Sequence, residues 1–468
     1  MNEIIFLILP NQLFDIRYFD KKFKYILWEC PHFFTDYNYN KKKLMLHRAS
    51  MRYQYDLMKS QGYTITYLEF NKKLPTTTTP TSKSHRQYIL YYPINKLDTL
   101  RLPKNTIVYE KNSPNLLLSN NLIEKYRKKT DKFFFNAFYM WAKKELNIIP
   151  DIKSQDKLNR QKPPSTSTLT IPQPYDADNK RKHISPTSLK YIEEAVIYIE
   201  KNFKNNCGNS GYSESGFIYP VTHRDALLWL EHFIKYKLKN FGNYQDYIDK
   251  NNKHLNHSLL SALINIGLIN PSDIIDILES QRTSKSASAS ASASIPMNSY
   301  EGFIRQLFWR EYQHLCYLYA DFSKNYFGNT KKLTQEWYTG NTGILPVDDC
   351  ISEAFDTGYL HHIKRLMVIG NYMNLCYISP REGFRWFMEF SCDSYEWVMY
   401  QNVYDMVFFS TGGKTMRRPY ISSSNYILNM SNYSKDTWCE VWNAKYKSFI
   451  EKNRKKLWKY RYFVALKS

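Results

Sequence analysis

The chain has 468 residues, of which 43% are hydrophobic and 16% aromatic, and its formal net charge is +22. This length allows two or three domains with a large buried core. No stretch approaches 18 uninterrupted apolar residues, so we expect no membrane span and no membrane partner. Seven scattered cysteines without a Cys-x-x-Cys pair fit neither a disulfide framework nor a zinc site, so we expect no metal and a reducing, intracellular environment.

The basic charge has two explanations. A polyanionic partner, most simply nucleic acid, is the functional one. The alternative is compositional, because Lys, Asn, Ile, Tyr and Phe are all abundant, as in the products of AT-rich genomes. The 10 tryptophans are less affected by such drift, and they favour a protein that stacks on flat ligands such as bases or a flavin-like ring.

Residues 1–135 alternate strand-like and helix-like segments, which predicts a doubly wound parallel α/β domain. Neither GxGxxG nor GxxxxGK[ST] occurs, so the usual nucleotide fingerprints are missing. A ligand of this domain would therefore bind at the carboxyl ends of the strands, near Asn11 and residues 28–33. The predicted strands are residues 4–9, 25–28, 63–70 and 107–109, and the predicted helices are residues 42–61 and 116–128.

Three segments are rich in Thr, Ser, Ala or Pro and poor in apolar residues, and we expect disordered surface loops there. They are residues 74–83, residues 163–173 inside a linker over 136–186, and a Ser-Ala insertion at 284–294. From 187 to 468 the apolar spacing is mostly helical. The predicted fold class is therefore α/β plus all-α, with helices expected over 222–239, 256–270, 302–322 and 359–374.

Two helix starts carry side chains suited to ligand binding. Ser258 and Ser261 precede an apolar run, so each is either an ordinary N-cap or part of a phosphate site. Gln306, Trp309 and Arg310 share one helical face at i, i+3 and i+4. That face either stacks on a flipped base and holds a phosphate, or it contains a buried Trp with a surface ion pair.

His361 and His362 are adjacent, so on a helix they point about 100° apart and do not chelate one metal together. One imidazole can act as a general acid in a cavity while the other is packed. Trp386, Trp337 and Tyr338 can form a chain of redox-active rings, although core packing is the simplest role of any one of them.

These ordered motifs resemble the cryptochrome/photolyase superfamily, and in particular the branch of bacterial iron–sulfur cryptochromes and (6-4) photolyases. The resemblance covers nearly the whole chain and is strongest from 217 to 450. The matching stretches are residues 241–246, 255–261, 265–268, 304–312, 359–371, 393–397, 402–403, 418–420 and 425–427.

The resemblance implies a U-shaped FAD in the helical domain and light-driven repair of UV-damaged DNA. An electron would pass from photoexcited reduced flavin to a flipped-out (6-4) lesion. His362, with His361 beside it, would donate a proton to the lesion, and Tyr420 would touch it. The residues implied to bind FAD are Tyr244, Gln245, Ser258, Leu259, Ser261, Arg310, Asp393, Met399 and Asn402.

The resemblance also implies roles in electron transfer, DNA binding and light harvesting. Electrons would reach the flavin through Trp386, Tyr338 and Trp337. A lumazine- or deazaflavin-type antenna would bind near Glu29 and Phe33. A monomer is implied, located in the cytoplasm, or in a virion or viral factory if the protein is viral. The residues implied to contact DNA are Gln306, Trp309, Arg417 and Arg418.

The chain departs from this branch at the four cluster cysteines. The upstream cysteine would fall near Pro346, about one helical turn from Cys350. Of the three later cysteines only Cys439 remains, and one cysteine cannot hold an iron–sulfur cluster. We therefore expect no cluster and expect packing by Trp438 and Trp442 to replace it.

A second departure lies beside the expected flavin. Met399 stands where relatives carry a glutamate, Gln401 replaces a proline, and Phe387 replaces a tyrosine next to Trp386. Loss of the carboxylate changes the expected flavin chemistry. Two alternatives to a (6-4) photolyase therefore remain, namely a cryptochrome-like blue-light receptor and a nucleic-acid-binding relative that has lost repair.

Overall fold

The computed structural model describes residues 3–75, 78–79, 82–163, 185–211, 217–286 and 295–460. They belong to two units, each assembled from segments far apart in sequence. The first unit contains Met1–Lys125, Pro172–Tyr236 and Ser258–Ser294. The second contains Tyr126–Ile171, Lys237–His257 and Ile295–Ser468.

A six-stranded sheet lies at the centre of the first unit, with the order β3-β2-β1-β5-β4 and with β6 paired to β5. All pairs are parallel except β4 with β5. The apolar residues of β1 are buried from Ile5 to Ile8, as a central parallel strand requires. The strands are β1 (Glu3–Ile8), β2 (Lys24–Trp28), β3 (Thr64–Leu68), β4 (Thr78–Thr79), β5 (Ser82–Tyr91) and β6 (Ile107–Glu110).

The sequence analysis missed β5, and it wrongly expected a loop over all of 74–83. In the structure β4 and the start of β5 form an antiparallel pair at this place, with Thr78 opposite His85. The later part of β5 runs beside β1, with Ile89 opposite Phe6. Residues 76–77 and 80–81 lie outside the described residues. The apolar run 88–91 is a signal that could have identified the strand.

The helices alternate with these strands and then continue without strands to the C-terminal region, so the predicted α/β plus all-α fold is confirmed. They are α1 (Lys41–Ser60), α2 (Asn120–Arg127), α3 (Phe135–Glu145), α4 (Pro186–Asn202), α5 (His223–His232), α6 (Leu238–Tyr244), α7 (Ser261–Ile266), α8 (Pro271–Ser286), α9 (Met297–Tyr319), α10 (Glu336–Thr339), α11 (Leu345–Thr357), α12 (Asn371–Leu375), α13 (Pro380–Phe390), α14 (Glu396–Met399), α15 (Asn425–Met430), α16 (Thr437–Lys452) and α17 (Arg454–Leu457).

Wider and tighter helical turns connect several of these elements. π-Helical segments cover Phe233–Lys237, Lys364–Gly370 and Tyr400–Val407. Short 3₁₀ turns cover Ile16–Tyr18, Pro31–Phe33, Leu97–Leu100 and Asp156–Leu158. π-Helical turns are rare and are often found at functional sites. The π-helical segments that follow His362 and Met399 are therefore candidates for parts of a functional site.

Helix α4 packs against α1, which places it in the first unit. Side chains reinforce this contact, because Arg48 Nη2 of α1 donates to Glu194 Oε1 of α4 at 2.6 Å. The predicted boundary at 187 therefore differs from the observed grouping, in which residues 187–236 accompany the N-terminal sheet. Packing between elements decides this grouping, and helical periodicity carries no information about it.

The second unit is built around α9, which is buried along most of its length and packs on α3, α6 and α14. Its core contains large aromatic side chains, including Trp386, Trp397 and Trp442, each with at most 1% of its surface exposed. Burying a full aromatic side chain contributes roughly 1.5–3 kcal/mol, so these rings dominate the local packing energy.

Two predicted loops fall mostly outside the described residues. Of 163–173 only residue 163 is described, and of 284–294 only 284–286, where α8 extends into the Ser-Ala tract. Among the described residues, no helix is long and apolar enough to cross a membrane.

Candidate active site

The histidine pair lies where the chain enters a new helix of the second unit. Helix α11 ends at Thr357, and Gly358 follows with φ of 68° in the left-handed region. This is the glycine C-cap that ends many helices, since glycine adopts positive φ at little cost. His361 lies just before the next helix and His362 begins it, so only His362 is helical. The expectation that both histidines lie within the helix was wrong.

His361 stacks on His257, with ring centroids 4.6 Å apart and planes 20° apart. His257 Nε2 donates to the carbonyl of Gln245 at 3.0 Å, because a carbonyl oxygen only accepts. This bond fixes the tautomer and leaves Nδ1 of His257 as an acceptor. That atom has no hydrogen-bond partner, and neither has either ring nitrogen of buried His361.

Further buried polar groups without partners surround this stack. Asn256 is 1% exposed, and its side-chain nitrogen and oxygen both lack hydrogen bonds. Nε2 of Gln245 is also buried and also lacks a hydrogen-bond partner. Lys237 is 2% exposed, and desolvation lowers its pKa to about 7. Buried polar groups are normally paired, so this concentration indicates a place made for a polar ligand.

Burial also keeps the imidazoles of this region neutral. It lowers the pKa of His257 to about 4, and the charges of Lys237 and Lys364 act in the same direction. The pKa of His361 lies well below its usual value, chiefly because of burial and then because of His257 and Lys364. Both rings are therefore uncharged at neutral pH, each with one N–H donor and one acceptor nitrogen.

His362 differs from its neighbour because its side chain is exposed. Surrounding protein nevertheless lowers its pKa to about 4, by desolvation first and by Arg365 second. Arg365 is held in place by Asp393, with Arg365 Nη1 and Asp393 Oδ1 2.8 Å apart. Asp393, implied to bind FAD, thus also orients a cation beside His362.

Arg310 is buried over the indole of Trp397, with its guanidinium carbon 4.7 Å from the ring centroid. Desolvation lowers its pKa to about 10, and Glu311 acts in the opposite direction. Met399, also implied to bind the cofactor, is 5% exposed. Asn402 uses its amide internally, since Nδ2 donates to the carbonyl of Val398 at 2.7 Å and Oδ1 accepts from Gln313 Nε2 at 3.3 Å.

Gln306, Trp309 and Arg310 share a helical face that runs from the surface into the interior. Gln306 is exposed, Trp309 is half-buried and Arg310 is 8% exposed. The indole of Trp309 stacks on Phe135, with centroids 4.0 Å apart and planes 10° apart. One face of Trp309 is therefore covered by protein, and its contact with a base stays a prediction that concerns the rest of the ring.

Tyr420 is half-buried, and burial raises its pKa. The charges of Arg160 and Asp246 act on its hydroxyl, and these two side chains approach each other to 3.7 Å. Desolvation raises the pKa of Asp246 to about 6. Arg417 and Arg418, three and two residues before Tyr420, are exposed. The structure thus brings a half-buried phenol, an ion pair and two surface cations into one region.

Trp386 is fully buried, and its indole N–H donates to the carbonyl of Trp337 at 2.7 Å. Tyr338 follows Trp337 in the chain and is half-buried. Phe355 lies between the two outer rings, with centroids 5.7 Å from Trp386 and 5.6 Å from Tyr338. The three residues predicted to carry electrons are therefore close together, although contact proves no electron transfer by itself.

Ser258, Leu259 and Ser261 belong to the first unit, and their part in a cofactor site remains a prediction. The N-cap of α7 is Leu260, which makes no side-chain cap, so the expected hydroxyl cap at this helix was wrong. Ser258 Oγ accepts from the amide of Leu260 at 3.4 Å, and the Ser258 carbonyl accepts from Trp229 Nε1 at 2.7 Å. Tyr244, in the second unit, is half-buried near the end of α6.

Glu29 in the first unit is completely buried, and both carboxylate oxygens are engaged by the protein. Oε1 accepts from Arg48 Nη1 at 2.8 Å and from the hydroxyl of Tyr67 at 2.6 Å. Oε2 accepts from the amide of Phe70 at 3.1 Å and from the hydroxyl of Tyr198 at 2.8 Å. Glu29 is thus engaged by four protein groups, and its predicted antenna role stays a prediction. Phe33, four residues after Glu29 in the sequence, is also buried.

The cysteines do not fit an iron–sulfur cluster. Cys350 and Cys439 are buried free thiols, and burial raises the pKa of Cys350. Over the residues the structure describes, no three His, Cys, Asp or Glu side chains are grouped as metal ligands. A cluster needs several thiolates, so these residues do not supply its ligands. That the protein carries no cluster stays a prediction, which iron analysis of purified protein would check.

The unpaired buried groups do fit a flavin dinucleotide, which offers both phosphate oxygens and ring donors and acceptors. Arg310 supplies buried positive charge, and Lys237, whose pKa is lowered to about 7, would become fully charged beside a phosphate. Gln245, Asn256 and His361 supply donors and acceptors without hydrogen-bond partners. Sequence reasoning missed Lys237, Asn256 and His257 as site residues. The segment 256–261 was recognised, but only its serines were considered.

Comparison with known proteins supports this interpretation. Residues 6–213 match the family described as deoxyribodipyrimidine photo-lyase-related protein, and residues 303–461 match the FAD binding domain of DNA photolyase. A (6-4) photolyase of Agrobacterium fabrum is 35% identical over 307 residues, spanning 60% of this chain and 58% of that relative. An uncharacterised protein of Acanthamoeba polyphaga mimivirus is 54% identical over 88 residues, 19% of this chain and 72% of that protein.

Solved structures show the same fold. A bacterial class III photolyase from Agrobacterium tumefaciens superposes with a TM-score of 0.54 at 13% identity, covering 96% of this chain and 98% of that one. A cryptochrome from Synechocystis gives 0.55 at 13% identity, covering 97% and 88%. Two family matches, a clear sequence relative and a shared fold lead to one conclusion: the chain belongs to the cryptochrome/photolyase superfamily, in its photolyase-related branch.

Proposed function

We propose that the protein is an FAD-dependent DNA photolyase that uses blue light to repair UV-damaged DNA, with (6-4) photoproducts as its substrate. The observation that carries the proposal is the histidine pair. His361 is buried without a hydrogen-bond partner, and His362 follows it with an exposed side chain. The 35% identical relative that is named a (6-4) photolyase supports the choice of lesion.

FAD, held by Lys237, Arg310, Gln245 and Asn256, would supply light absorption and an electron. The protein's own contribution is electrostatic. Buried cations stabilise an anionic cofactor far more than exposed ones, because the low local dielectric strengthens each interaction. The cost of burying the side chains of Lys237 and Arg310 would be offset in part when the cofactor binds.

The histidines would act on the lesion after it has received the electron. In the structure both rings are neutral, so each offers an N–H group as a hydrogen-bond donor. Negative charge arriving next to an imidazole raises its pKa, so the ring can take up a proton at that stage and pass it on to the lesion as an imidazolium. His362 is accessible and is our candidate for the proton donor, while His361 and His257 hold the neighbouring stack in place.

DNA binding would use the basic surface near Tyr420. Arg417 and Arg418 are exposed there, and the whole chain carries a net charge of +22. Exposed arginines bind phosphates without sequence preference, as a repair enzyme that acts on any sequence requires. Tyr420, half-buried beside them, is placed to touch a flipped nucleotide.

The first experiment is an absorption spectrum of the purified protein, in which a flavin band in the blue is expected. Reduced protein is then illuminated with DNA containing a single (6-4) lesion, and restored thymines are measured. His362→Ala should abolish repair while flavin stays bound, whereas Arg381→Ala, a surface change on α13, should repair normally. Full repair by His362→Ala would refute its role, and no repair by wild-type protein with bound flavin would refute the proposed function.

One observation favours a second candidate, a blue-light receptor of the cryptochrome type. Buried Met399 stands where the resemblance leads one to expect a carboxylate near the flavin. A thioether cannot exchange a proton, so the redox behaviour of the flavin would change. Repeating the repair assay with Met399→Glu separates the candidates. A receptor remains without repair in both forms, while a photolyase repairs in the wild-type form.

A further inference from the structure

Tyr338 and Glu389 form a hydrogen-bonded phenol–carboxylate pair in the second unit. The hydroxyl of Tyr338, on α10, donates to Oε2 of Glu389, on α13, at 2.9 Å. Glu389 is 6% exposed, whereas Tyr338 is half-buried and reaches solvent. Neither the comparisons nor the repair reaction requires a carboxylate at this position.

We propose that Glu389 accepts the phenolic proton of Tyr338 when Tyr338 gives an electron to oxidised Trp386, which makes Tyr338 the terminal internal electron donor of the site. The proposal rests on the proposed flavin function. It adds a residue, Glu389, and a proton transfer to the electron path.

The contacts provide a short connection between the two rings. The indole N–H of Trp386 donates at 2.7 Å to the carbonyl of Trp337, which is bonded to the amide of Tyr338. A hydrogen bond and one peptide unit therefore join the indole to the residue that bears the phenol. Phe355 fills the space between the rings, with centroid distances of 5.7 and 5.6 Å. Glu389 follows Trp386 by three residues on α13, so one helix positions both partners of Tyr338.

The chemistry explains why the carboxylate matters. Burial raises the pKa of Tyr338, and the charge of Glu389 raises it further, so the phenol is protonated in the resting protein. Removing an electron from a protonated phenol makes it a very strong acid, and a hydrogen-bonded base must take the proton for the step to be favourable. A carboxylate at 2.9 Å is such a base.

Bound FAD would supply the light-driven oxidant of Trp386. Oxidised Trp386 would then regain one electron from Tyr338 while the O–H proton moves to Glu389, which leaves a neutral phenoxyl radical and a protonated carboxyl group. An external thiolate would give one electron to the phenoxyl radical and become a thiyl radical, and the proton would return from Glu389 to the phenolate oxygen. Because Tyr338 is half-buried, a small thiol can approach it, whereas Trp386 is fully enclosed.

Tyr372 provides a matched internal control. Its ring also lies near Trp337, with centroids 5.9 Å apart. Its hydroxyl interacts with Cys376, whose pKa is raised by burial, so the side chain stays a neutral thiol and cannot readily accept a proton. If ring proximity alone selected the donor, Tyr372 and Tyr338 would be equivalent. The proposal predicts that they are not.

A test that needs no flavin chemistry measures the phenol itself. Protein labelled with ¹³C at the tyrosine ring is studied by NMR at neutral pH, and the Cζ signal of Tyr338 is assigned with Tyr338→Phe. Glu389→Gln should shift this signal, because the phenol loses its hydrogen bond to a charged carboxylate. An unchanged Cζ signal of Tyr338 would show that the pair does not exist in solution and would overturn the proposal.

The second test follows the radical in purified, flavin-containing protein illuminated with dithiothreitol. Freeze-quench electron paramagnetic resonance should detect a tyrosyl radical in wild-type protein and in Tyr372→Phe but not in Tyr338→Phe. Glu389→Gln should slow its formation by roughly 100-fold, and Glu389→Asp should restore part of the rate. A solvent deuterium effect on the wild-type rate should disappear in Tyr338→Trp, which has no phenolic proton.

Radical formation at the wild-type rate in Glu389→Gln would overturn the proposal. Repair by chemically reduced wild-type protein is measured separately, because that reaction starts with the electron already on the cofactor. Failure of repair together with a normal Tyr338 radical would refute the photolyase function and leave the role of Glu389 standing.

Discussion

At the scale of single residues, the site is marked by polar groups that cost stability. His361, Asn256 and Lys237 are buried, and no described hydrogen bond satisfies the side chains of His361 or Asn256. Each unsatisfied buried group costs about 1–3 kcal/mol, which ordinary selection for stability would remove. Such local conflicts between residue and environment are typical of binding sites.

Neutral buried histidines make stability depend on pH. Burial lowers the pKa of His257 to about 4 and that of His314 to about 3, against 6.5 for a free imidazole. Below pH 6.5 the unfolded chain therefore binds more protons than the folded protein, so stability should fall as pH decreases from 6.5 towards 4. Each histidine contributes about 1.4 kcal/mol per pH unit in this window.

Urea unfolding at pH 7, 6 and 5 measures this effect. Asp246 acts in the opposite direction, because its raised pKa of about 6 favours the folded state at lower pH, and it offsets part of the loss. Comparison with His314→Gln isolates one histidine and should give a shallower slope. Equal slopes for the two proteins would contradict the low pKa of His314.

The ion pair between Lys364 and Glu353 gives a second prediction for single residues. Their Nζ and Oε2 atoms are 2.6 Å apart, and the two side chains are 3% and 6% exposed. Lys364→Met should destabilise the protein by about 3–5 kcal/mol, because it leaves a buried carboxylate without its cation. The double variant with Glu353→Leu should recover much of this loss in urea unfolding. A double variant less stable than Lys364→Met would show that the pair stabilises the fold by itself.

At the scale of elements, α13 holds much of the proposed electron path. Ser379 caps its N-terminus by accepting from the amide of Glu382, and Pro380 occupies the first turn. The helix then presents Trp386 and Glu389 one turn apart. Its position depends on close packing at Gly383, where a Cβ atom would lie 2.3 Å from the ring of Phe408.

Gly383→Ala should therefore displace α13 or Phe408, at a cost of roughly 1–3 kcal/mol despite the better helix propensity of alanine. Thermal unfolding measures the loss, and Arg381→Ala, an exposed change on the same helix, should stay within about 0.5 kcal/mol of wild type. Stabilisation by Gly383→Ala would show that the helix moves freely and does not hold Trp386 rigidly.

At the scale of the whole molecule, the net charge of +22 is the property most relevant to DNA. Binding through phosphate contacts releases counterions, so the logarithm of affinity falls linearly with the logarithm of salt concentration, with a slope of about −0.9 per contact. The double change Arg417→Gln with Arg418→Gln should reduce this slope by about 2 and weaken all DNA sequences equally.

Fluorescence anisotropy with undamaged duplex at several salt concentrations tests this expectation. The matched control is Lys21→Gln with Lys22→Gln, which removes two charges from the first unit and should leave the slope nearly unchanged. If both pairs of changes alter the slope equally, binding follows total charge and no particular surface is involved.

Several features of this protein could be predicted from its sequence alone. Local periodicity located β1, α1 and α9, because the spacing of apolar residues within a short segment distinguishes a buried strand from an amphipathic helix. Ordered motifs led to the superfamily. Spacing did not determine the environments of His361 and His362, because only His362 is helical; the structure buries His361 and exposes His362.

Only the tertiary structure decided the features that depend on residues far apart in the chain. The pairing of β5 with β1, the stacking of His257 on His361 and the engagement of Glu29 by Arg48 and Tyr198 all join distant segments. No local pattern encodes such contacts, because side-chain period reports only which face of an element is apolar. The partner of that face, and hence the environment that sets the pKa of each histidine, is determined by packing.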